Sequence, residues 1–514
     1  MAKIDITRTE LVWPGKYNED GTRKAVPRVS LPFQVIETVN ESRATREAKK
    51  GGTQTTLFDV WEGKEGETFE EGWKNKLIWG DNLLVMGSLL EKFAGKIDLI
   101  YIDPPFATGA DFSFRADIGD GTAAVVKEQS LIEEKAYRDT WGRSVDSYLE
   151  MVAPRLAMIH ELLSPRGSAY IHIGPPMNHF VRCILDEVFG ATNSRREIIW
   201  KRVSSRGHGN FYPATHDALL FYSKSDDLIW NQLYEPLDPA YVKSKYRFFD
   251  SDGRRFRKDN CLNQNPDRPN LTYNWKGHVR TWRWTKEKMQ ELDNAGRLIY
   301  TKNGIPEYKR YLDESPGMAL QSIWGDVAPV NSQADEDTGY DTQKPEILLD
   351  RVIKASSDPG YLVADFFCGS GTTLAVAEKL GRRWIGCDLG RWAIHVTRKR
   401  LLGIKGCKPF EVLNLGKYER QYWQGVTFGD AKAKPHTERA LYEYLAFILK
   451  LYGAQPLPGL MHLHGKKGKA LVHIGAVDAP VTIGEIDVAV DECAQLRQGE
   501  LPSWAGSGRW ASMT

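Results

Sequence analysis

Several things are scarce in this chain of 514 residues, and each absence narrows what it can be. No apolar run approaches the roughly 20 residues that a membrane-spanning helix needs. Lys3, Asp5 and Arg8 stand where a secretory signal would require an apolar stretch. No membrane association is therefore expected, and a cytoplasmic location is. Cysteine is sparse: Cys183, Cys261, Cys368, Cys387, Cys407 and Cys493 show neither CxxC nor Cys/His zinc spacing, so no disulfide framework and no metal are indicated. No tandem repeat, nuclease motif or helicase motif is visible. Net charge is small as well, +2, and names no partner by itself.

What is present is unevenly placed. Between Tyr241 and Arg310 stand 17 Lys/Arg against 8 Asp/Glu, a local +9 that leaves −7 for the rest. Residues 1–72 read as an N-terminal arm and linker. An alternating strand and helix texture then runs through 73–230, with strands at Lys76–Trp79, Ile97–Ile102, Ser168–Ile173, Glu197–Val203 and Ala218–Ser223 between helices at Leu83–Phe93, Tyr148–Leu163 and Pro176–Val188. Regularity fails across 231–335, read as an inserted domain. It resumes over 336–405 with helix Pro345–Ala355, strand Tyr361–Phe367, helix Thr372–Leu380, strand Arg383–Cys387 and helix Trp392–Leu402. The expected fold is an α/β, Rossmann-like sheet interrupted by an insertion. Residues 406–514 form a C-terminal α/β extension, with a helix at Glu438–Leu451, a strand at Ala470–Ile474 and a capping box at Thr482 and Glu485. This extension is expected to be incomplete and to end unstructured over Pro502–Trp510.

Val363-Ala-Asp-Phe-Phe-Cys-Gly-Ser-Gly-Thr-Thr-Leu374 reads as a strand, a glycine turn and a helix start. Gly369 and Gly371 permit close approach of a ligand at the carboxyl end of the strand. The next strand ends at Asp388, 17 positions past Gly371, where an acid can bind ribose hydroxyls from an exposed loop. No GxxxxGK[ST] phosphate loop is present, and Leu374 stands where a dinucleotide fingerprint would place a third glycine. A nucleoside site fits best. Asp365 suits a cationic amino-acid moiety, with a turn-capping role as the alternative.

Asp103-Pro104-Pro105-Phe106 follows a fully apolar strand. Two prolines remove two backbone donors, leaving a turn rich in acceptors. Asp103 and the Pro104 carbonyl can therefore accept the two N–H bonds of an amino group, while Phe106 offers a ring for an extruded base to stack on. A rigid turn is the plainer alternative.

Taken with Phe366-Phe-Cys-Gly-Ser-Gly-Thr-Thr373 and Thr342-Gln-Lys-Pro-Glu346, this motif resembles the permuted, beta-class family of amino-methylating DNA methyltransferases. Within it, the chain is most similar to the modification subunits of type III restriction systems. The resemblance covers about residues 75–405, with Leu77–Leu83 and Tyr137–Trp141 in support. It implies a site-specific, adenine-specific enzyme that moves a methyl group from S-adenosylmethionine to the N6 amino group in double-stranded DNA. By position, it implies that Asp365, Phe367, Gly369, Gly371 and Asp388 surround the cofactor, that Asp81 lies near its adenine, and that Thr342 to Pro345, Lys344 included, lie near its methionine end. Asp81 reads equally well as a helix N-cap. The sequence departs from the family at Phe106, where Tyr is more usual. It departs again at Gly174-Pro-Pro176, where relatives often carry acids, so His172 is read as a packed strand residue.

The basic insertion, with its interleaved aromatics, is the candidate for target recognition. Arg254, Arg255, Arg257, Lys258, Arg280 and Arg283 are its candidate DNA contacts; a solvated basic face over an aromatic core is the alternative. No cysteine follows a proline, which disfavours cytosine C5 methylation. N4-cytosine methylation, and a non-catalytic DNA-binding protein on the same scaffold, remain as alternatives. A homodimer and a separate restriction subunit are open as partners.

Overall fold

The computed structural model describes residues 9–41, 68–105, 145–203 and 212–415 apart from positions 70, 266, 332 and 341, together with a hairpin of Phe114–Ile118 and Ala123–Lys127 and stretches between 449 and 494. Two compact units appear, 1–231 with 322–514 and Gln232–Gln321.

In chain order the first unit contains β1 (Gln34–Val39), β2 (Asn75–Trp79), α1 (Asn82–Phe93), β3 (Ile97–Ile102), α2 (Val145–Leu162), β4 (Leu163–Ile173), α3 (Pro175–Phe189), β5 (Ser194–Lys201), β6 (His216–Ser223), β7 (Ile323–Trp324), α4 (Glu346–Ser356), β8 (Leu362–Asp365), α5 (Thr372–Lys379), β9 (Arg383–Asp388), α6 (Arg391–Leu402) and β10 (Phe410–Asn414). Its ten strands make one sheet in the order β1-β10-β2-β9-β8-β3-β4-β6-β5-β7. The run from β10 to β4 is parallel, whereas β6 is antiparallel to both neighbours and β1 to β10. β3 and β8 are apolar throughout their centres, as strands covered on both faces must be. Alternate residues Ile100, Ile102, Ala364 and Ile385 share a core with Leu84, Val152, Leu156 and Val181 of α1, α2 and α3. On the opposite face, Tyr170 bonds Ser356 of α4 at 2.8 Å and Trp384 bonds Glu378 of α5 at 2.8 Å.

Progress through the sheet reverses between β8 and β3. From β8 the chain steps outward to β9 and β10; from β3 it steps the other way to β4. Such a reversal opens a crevice beyond the carboxyl ends of the two strands.

The sheet is wider than the sequence reading placed it. Phe410–Asn414, assigned to the extension, pairs in parallel with β2, and Gln34–Val39, assigned to the arm, pairs with it as an outer edge. An edge strand exposed along most of its length carries little hydrophobic periodicity, which hides it in sequence. The insertion also closes sooner than 335: Ile323–Trp324 returns to pair with Ile199–Trp200.

The unit Gln232–Gln321 has a four-stranded antiparallel sheet in the order Phe248–Phe249, Arg255–Asn260, Pro306–Tyr311, Leu298–Tyr300. It also contains a hairpin (Thr272–Trp275 with His278–Thr281), a strand pair (Tyr234–Glu235 with Met318–Ala319) and helices at Pro239–Lys245 and Lys286–Asn294. Trp275, Trp282, Met289, Leu298 and Cys261 form its core, so much of its aromatic content is structural.

Toward the C-terminus, Gln455–Pro456, Gly465–Lys467 and Ala470–Val472 form a small antiparallel sheet. The expected helix at Glu438–Leu451, the capping box at Thr482 and Glu485 and the segment Pro502–Trp510 lie outside the described residues apart from isolated positions. Among the described residues no helix is long and apolar enough to cross a membrane, and no cluster of His, Cys, Asp or Glu is built to hold a metal.

Candidate active site

Ala364 of β8 lies opposite Ile100 of β3 in a parallel register, so Asp365 and Asp103 leave the sheet side by side at the reversal point. Both belong to turns that the sequence dictates. Pro104 and Pro105 follow Asp103 and supply no backbone donor. After Asp365 the chain needs two left-handed residues, and it has glycine at both: Gly369 at φ 51° and Gly371 at φ 73°. A Cβ on Gly371 would stand 2.5 Å from Thr397 Cγ2, and one on Gly369 would meet the Tyr340 ring at 3.4 Å.

Asp103 does not stand alone. The Lys344 ammonium donates to its carboxylate, with both side chains largely buried. Lys344 also donates to the Thr342 carbonyl at 3.3 Å, and its own carbonyl accepts from the Thr372 hydroxyl at 3.1 Å. Arg400 joins the same knot, donating to Thr372 at 2.9 Å and to Glu346 at 2.8 Å. The segment carrying Lys344 is thus tied both to the Asp103 turn and to the first turn of α5.

Asp365 is buried, and both of its oxygens are engaged: Oδ1 accepts the Phe367 N–H at 3.0 Å and Oδ2 accepts the Thr373 hydroxyl at 2.6 Å. Burial pushes its carboxyl up to about 7, against those two hydrogen bonds and with Asp103 and Asp388 adding to the rise. The turn-capping role weighed from sequence is therefore present. Asp388 is buried too, not on an exposed loop as expected. It clamps the site's backbone, Oδ2 accepting from Gly369 N at 2.9 Å and Oδ1 from Gly390 N at 2.8 Å. Asp81 caps α1 through Leu83 N at 2.8 Å and receives Arg155 at 3.2 Å. Next to it, Asn82 donates to the Phe366 carbonyl at 2.8 Å, joining the α1 start to the glycine turn.

Asp81, Asp365, Phe367, Gly369, Gly371 and Asp388 therefore occupy successive carboxyl ends of β2, β8 and β9, and Asp103 and Lys344 close the crevice from β3. A donor set of carboxylates around glycine turns, whose basic groups Lys344, Arg155 and Arg400 are paired with Asp103, Asp81 and Glu346, fits a cationic nucleoside such as S-adenosylmethionine. Phe106 lies outside the described residues, as does Tyr137–Trp141.

Three features were not anticipated. Tyr340 lies over Gly369, and Thr397 donates to the Gly369 carbonyl at 3.0 Å; neither belongs to a motif, and only their spatial neighbourhood identifies them. His172 is fully buried on its strand, as expected, but it bridges Tyr101 Oη at 2.8 Å and Asp217 at 3.4 Å in a polar chain that Arg202 extends at 3.1 Å. Its members come from β3, β4, β6 and the residue after β5, a grouping created by strand pairing.

The candidate DNA contacts lie in the second unit, and many are engaged within it. Arg254 pairs with Asp313 at 2.8 Å and Glu314 at 2.9 Å, Arg255 donates to the Tyr246 carbonyl, Lys258 approaches Glu307 at 3.4 Å, and Arg283 pairs with Asp259 at 3.1 Å. Asp313 and Glu314 fall beyond the window that gave +9. Over the whole unit, 17 basic residues face 12 acidic ones, a formal +5. Arg280 is exposed and Arg257 half-buried, and neither has a carboxylate partner among the described residues.

Residues 97–399 match the DNA methylase family. The type II methyltransferase M.EcaI of Enterobacter cloacae is 33% identical over 63% of this chain and 69% of its own length. The StyLTI Mod subunit of a Salmonella typhimurium type III restriction-modification enzyme is 26% identical over 69% of this chain, and the EcoPI Mod subunit of Escherichia phage P1 is 27% identical over 61%. The chain spans 58% and 56% of those two Mod subunits.

Proposed function

The chain belongs to the DNA methylase family, and on that footing we propose that it transfers a methyl group from S-adenosylmethionine to the N6 amino group of adenine in double-stranded DNA. The observation that carries this reading is the placement of the Asp103 turn and the Asp365 turn on adjacent parallel strands at the sheet's point of reversal. Nucleophile and methyl donor would meet there.

The amino group lies inside the duplex, so the base must leave the stack before Asp103 can reach it. The Asp103 carboxylate and the Pro104 carbonyl accept its two N–H bonds and aim the nitrogen lone pair away from themselves. When bound, the cofactor supplies an electrophilic sulfonium methyl group. Asp103 opposes the positive charge that grows on nitrogen during attack, so its effect is larger in the transition state than in the ground state. The buried Tyr101–His172–Asp217 chain stiffens the strand leading to Asp103. No covalent enzyme intermediate is required. Around the cofactor, Asp388 holds Gly369 and Gly390 in place, and Asp365 sets the turn.

Modification-sensitive sequencing of DNA from cells expressing the chain tests the proposal. N6-methyladenine at one sequence context supports it, whereas N4-methylcytosine at such a site, or no methylated base, contradicts it. The likeness to Mod subunits supports assigning any restriction activity to a separate subunit, and co-purification with such a subunit is the corresponding check.

A further inference from the structure

A cavity of about 700 Å³ lies wholly within the second unit. Its wall carries Tyr241, Tyr246, Tyr308 and Tyr311, with Arg257 and Asp238 among the polar groups. Two other arginines of the wall are neutralised: Arg297 by Glu314 at 2.6 Å and Arg310 by Asp259 at 2.7 Å. Arg257 is not. Its Nη1 donates to the Tyr241 hydroxyl at 2.8 Å and its guanidinium lies 5.9 Å from the Tyr246 ring centroid, but its Nε is buried with no hydrogen-bond partner. The outer, Nη side of the guanidinium is therefore the part that can meet a ligand, and no carboxylate pairs with it among the described residues. Asp238 is the complementary case. It is exposed: its Oδ1 caps the helix Pro239–Lys245 by accepting from Tyr241 N at 2.8 Å, and its Oδ2 is open to solvent or a ligand.

We propose that this cavity receives one guanine base of the DNA target, held outside the stack, with Arg257 reading O6 and N7 and Asp238 facing N1–H and the N2 amino group. The inference rests on the DNA methylation reading above. Four tyrosines offer rings against an unstacked base, which a base pair still in the duplex could not reach inside a concave wall. An arginine fork suits the paired acceptors of guanine; adenine would present an amino donor to it. A carboxylate in the same wall suits guanine's two adjacent donors and opposes a phosphate in the same place. Arg297 and Arg310 are engaged by Glu314 and Asp259, carboxylates they share with Arg254 and Arg283, so Arg257 and Asp238 are the wall's cation and carboxylate outside those pairs, and one of each suits a neutral base with both acceptors and donors.

The test uses the full chain and duplexes bearing its mapped target, with each guanine replaced singly by 7-deazaguanine, which lacks N7, or by inosine, which lacks the N2 amino group. kcat/KM is measured for wild type, Arg257→Ala, Arg257→Lys and Asp238→Asn. One guanine is expected at which 7-deazaguanine lowers wild-type kcat/KM about tenfold to a hundredfold yet has no further effect in either Arg257 variant. Inosine at that same position should couple to Asp238→Asn. Arg257→Lys keeps the charge and loses only the fork, so a folding defect in Arg257→Ala does not leave the question open. A fluorescent guanine analogue at that position should brighten on binding. Methylation of DNA with no guanine coupled to Arg257, or coupling without brightening, overturns the pocket while leaving the methylation reading standing. A wild-type chain that methylates no DNA overturns both.

Discussion

The Lys344 ammonium donates to the Asp103 carboxylate, which joins the segment before α4 to the turn after β3. The same carboxylate is the proposed acceptor for the target amino group, so an incoming adenine must displace Lys344 or share Asp103 with it.

Lys344→Met is therefore expected to disturb the cofactor end of the site more than the DNA end. Lys344 anchors Thr342–Pro345, the segment proposed to line the cofactor's methionine end, and a charge-assisted hydrogen bond from its ammonium to the cofactor carboxylate would contribute about 1.5 to 3 kcal/mol, about tenfold or more in affinity. Calorimetry with S-adenosylmethionine measures it, beside DNA binding in the same variant. Unchanged cofactor affinity with weakened DNA binding would reverse the assignment.

Asp388→Ala should do more than remove a ribose contact. The buried Asp388 carboxylate holds the partly buried Gly369 and Gly390 N–H groups, and a hydrogen bond to a charged group contributes about 1.5 to 3 kcal/mol. A lowered thermal midpoint together with weaker cofactor binding is expected, and Asp388→Asn should recover part of the stability. An alanine variant that melts like wild type contradicts this.

Gly371→Ala combines a left-handed backbone with a Cβ 2.5 Å from Thr397 Cγ2. The strain should exceed the ordinary cost of about 1 kcal/mol for alanine in that conformation. Thermal melting should show a clear drop in the single variant and a smaller one when Thr397→Gly relieves the contact. No difference between the two would show that the packing is not what demands glycine.

Much of this arrangement was legible in the sequence because parallel strands announce themselves. The apolar run Ile97–Ile102 and the segment Tyr361–Phe367 place the turns carrying Asp103 and Asp365 correctly, and the glycines after Asp365 form the turn read from them, both at left-handed φ. Illegible were features that arise from pairing. The edge strand Gln34–Val39 shows almost no buried face, and Tyr101, His172 and Asp217 meet only because β3, β4 and β6 lie side by side. Local charge counting also missed neighbours: Asp313 and Glu314, just beyond the basic window, pair with Arg254, one of the candidate DNA contacts.

Asp365 gives the site a pH dependence whose sign can be stated. Its carboxyl, near 3.9 in an unfolded chain, is pushed up to about 7 by burial. The folded protein thus holds a proton that the unfolded chain releases, and this group's contribution to stability declines as pH rises between those values. A cation bound beside it favours the carboxylate. Cofactor binding should therefore tighten from pH 6 to pH 8 and release protons, measurable by calorimetry at pH 7 in buffers of different ionisation enthalpy. Affinity flat across that range, without proton release, contradicts the assignment, and Asp365→Asn should abolish the effect.

The most direct measurement is single-turnover transfer of a labelled methyl group to target DNA by Asp103→Ala beside wild type. Removing one preorganised electrostatic partner lowers such rates about 10²- to 10³-fold. A loss of at least that size is expected in turnover, with cofactor affinity much less affected because Asp365 and Asp388 rather than Asp103 shape the cofactor turn, and with a lowered thermal midpoint because the largely buried Lys344 loses its carboxylate partner. An Asp103→Ala protein that methylates DNA at nearly the wild-type rate would contradict the account.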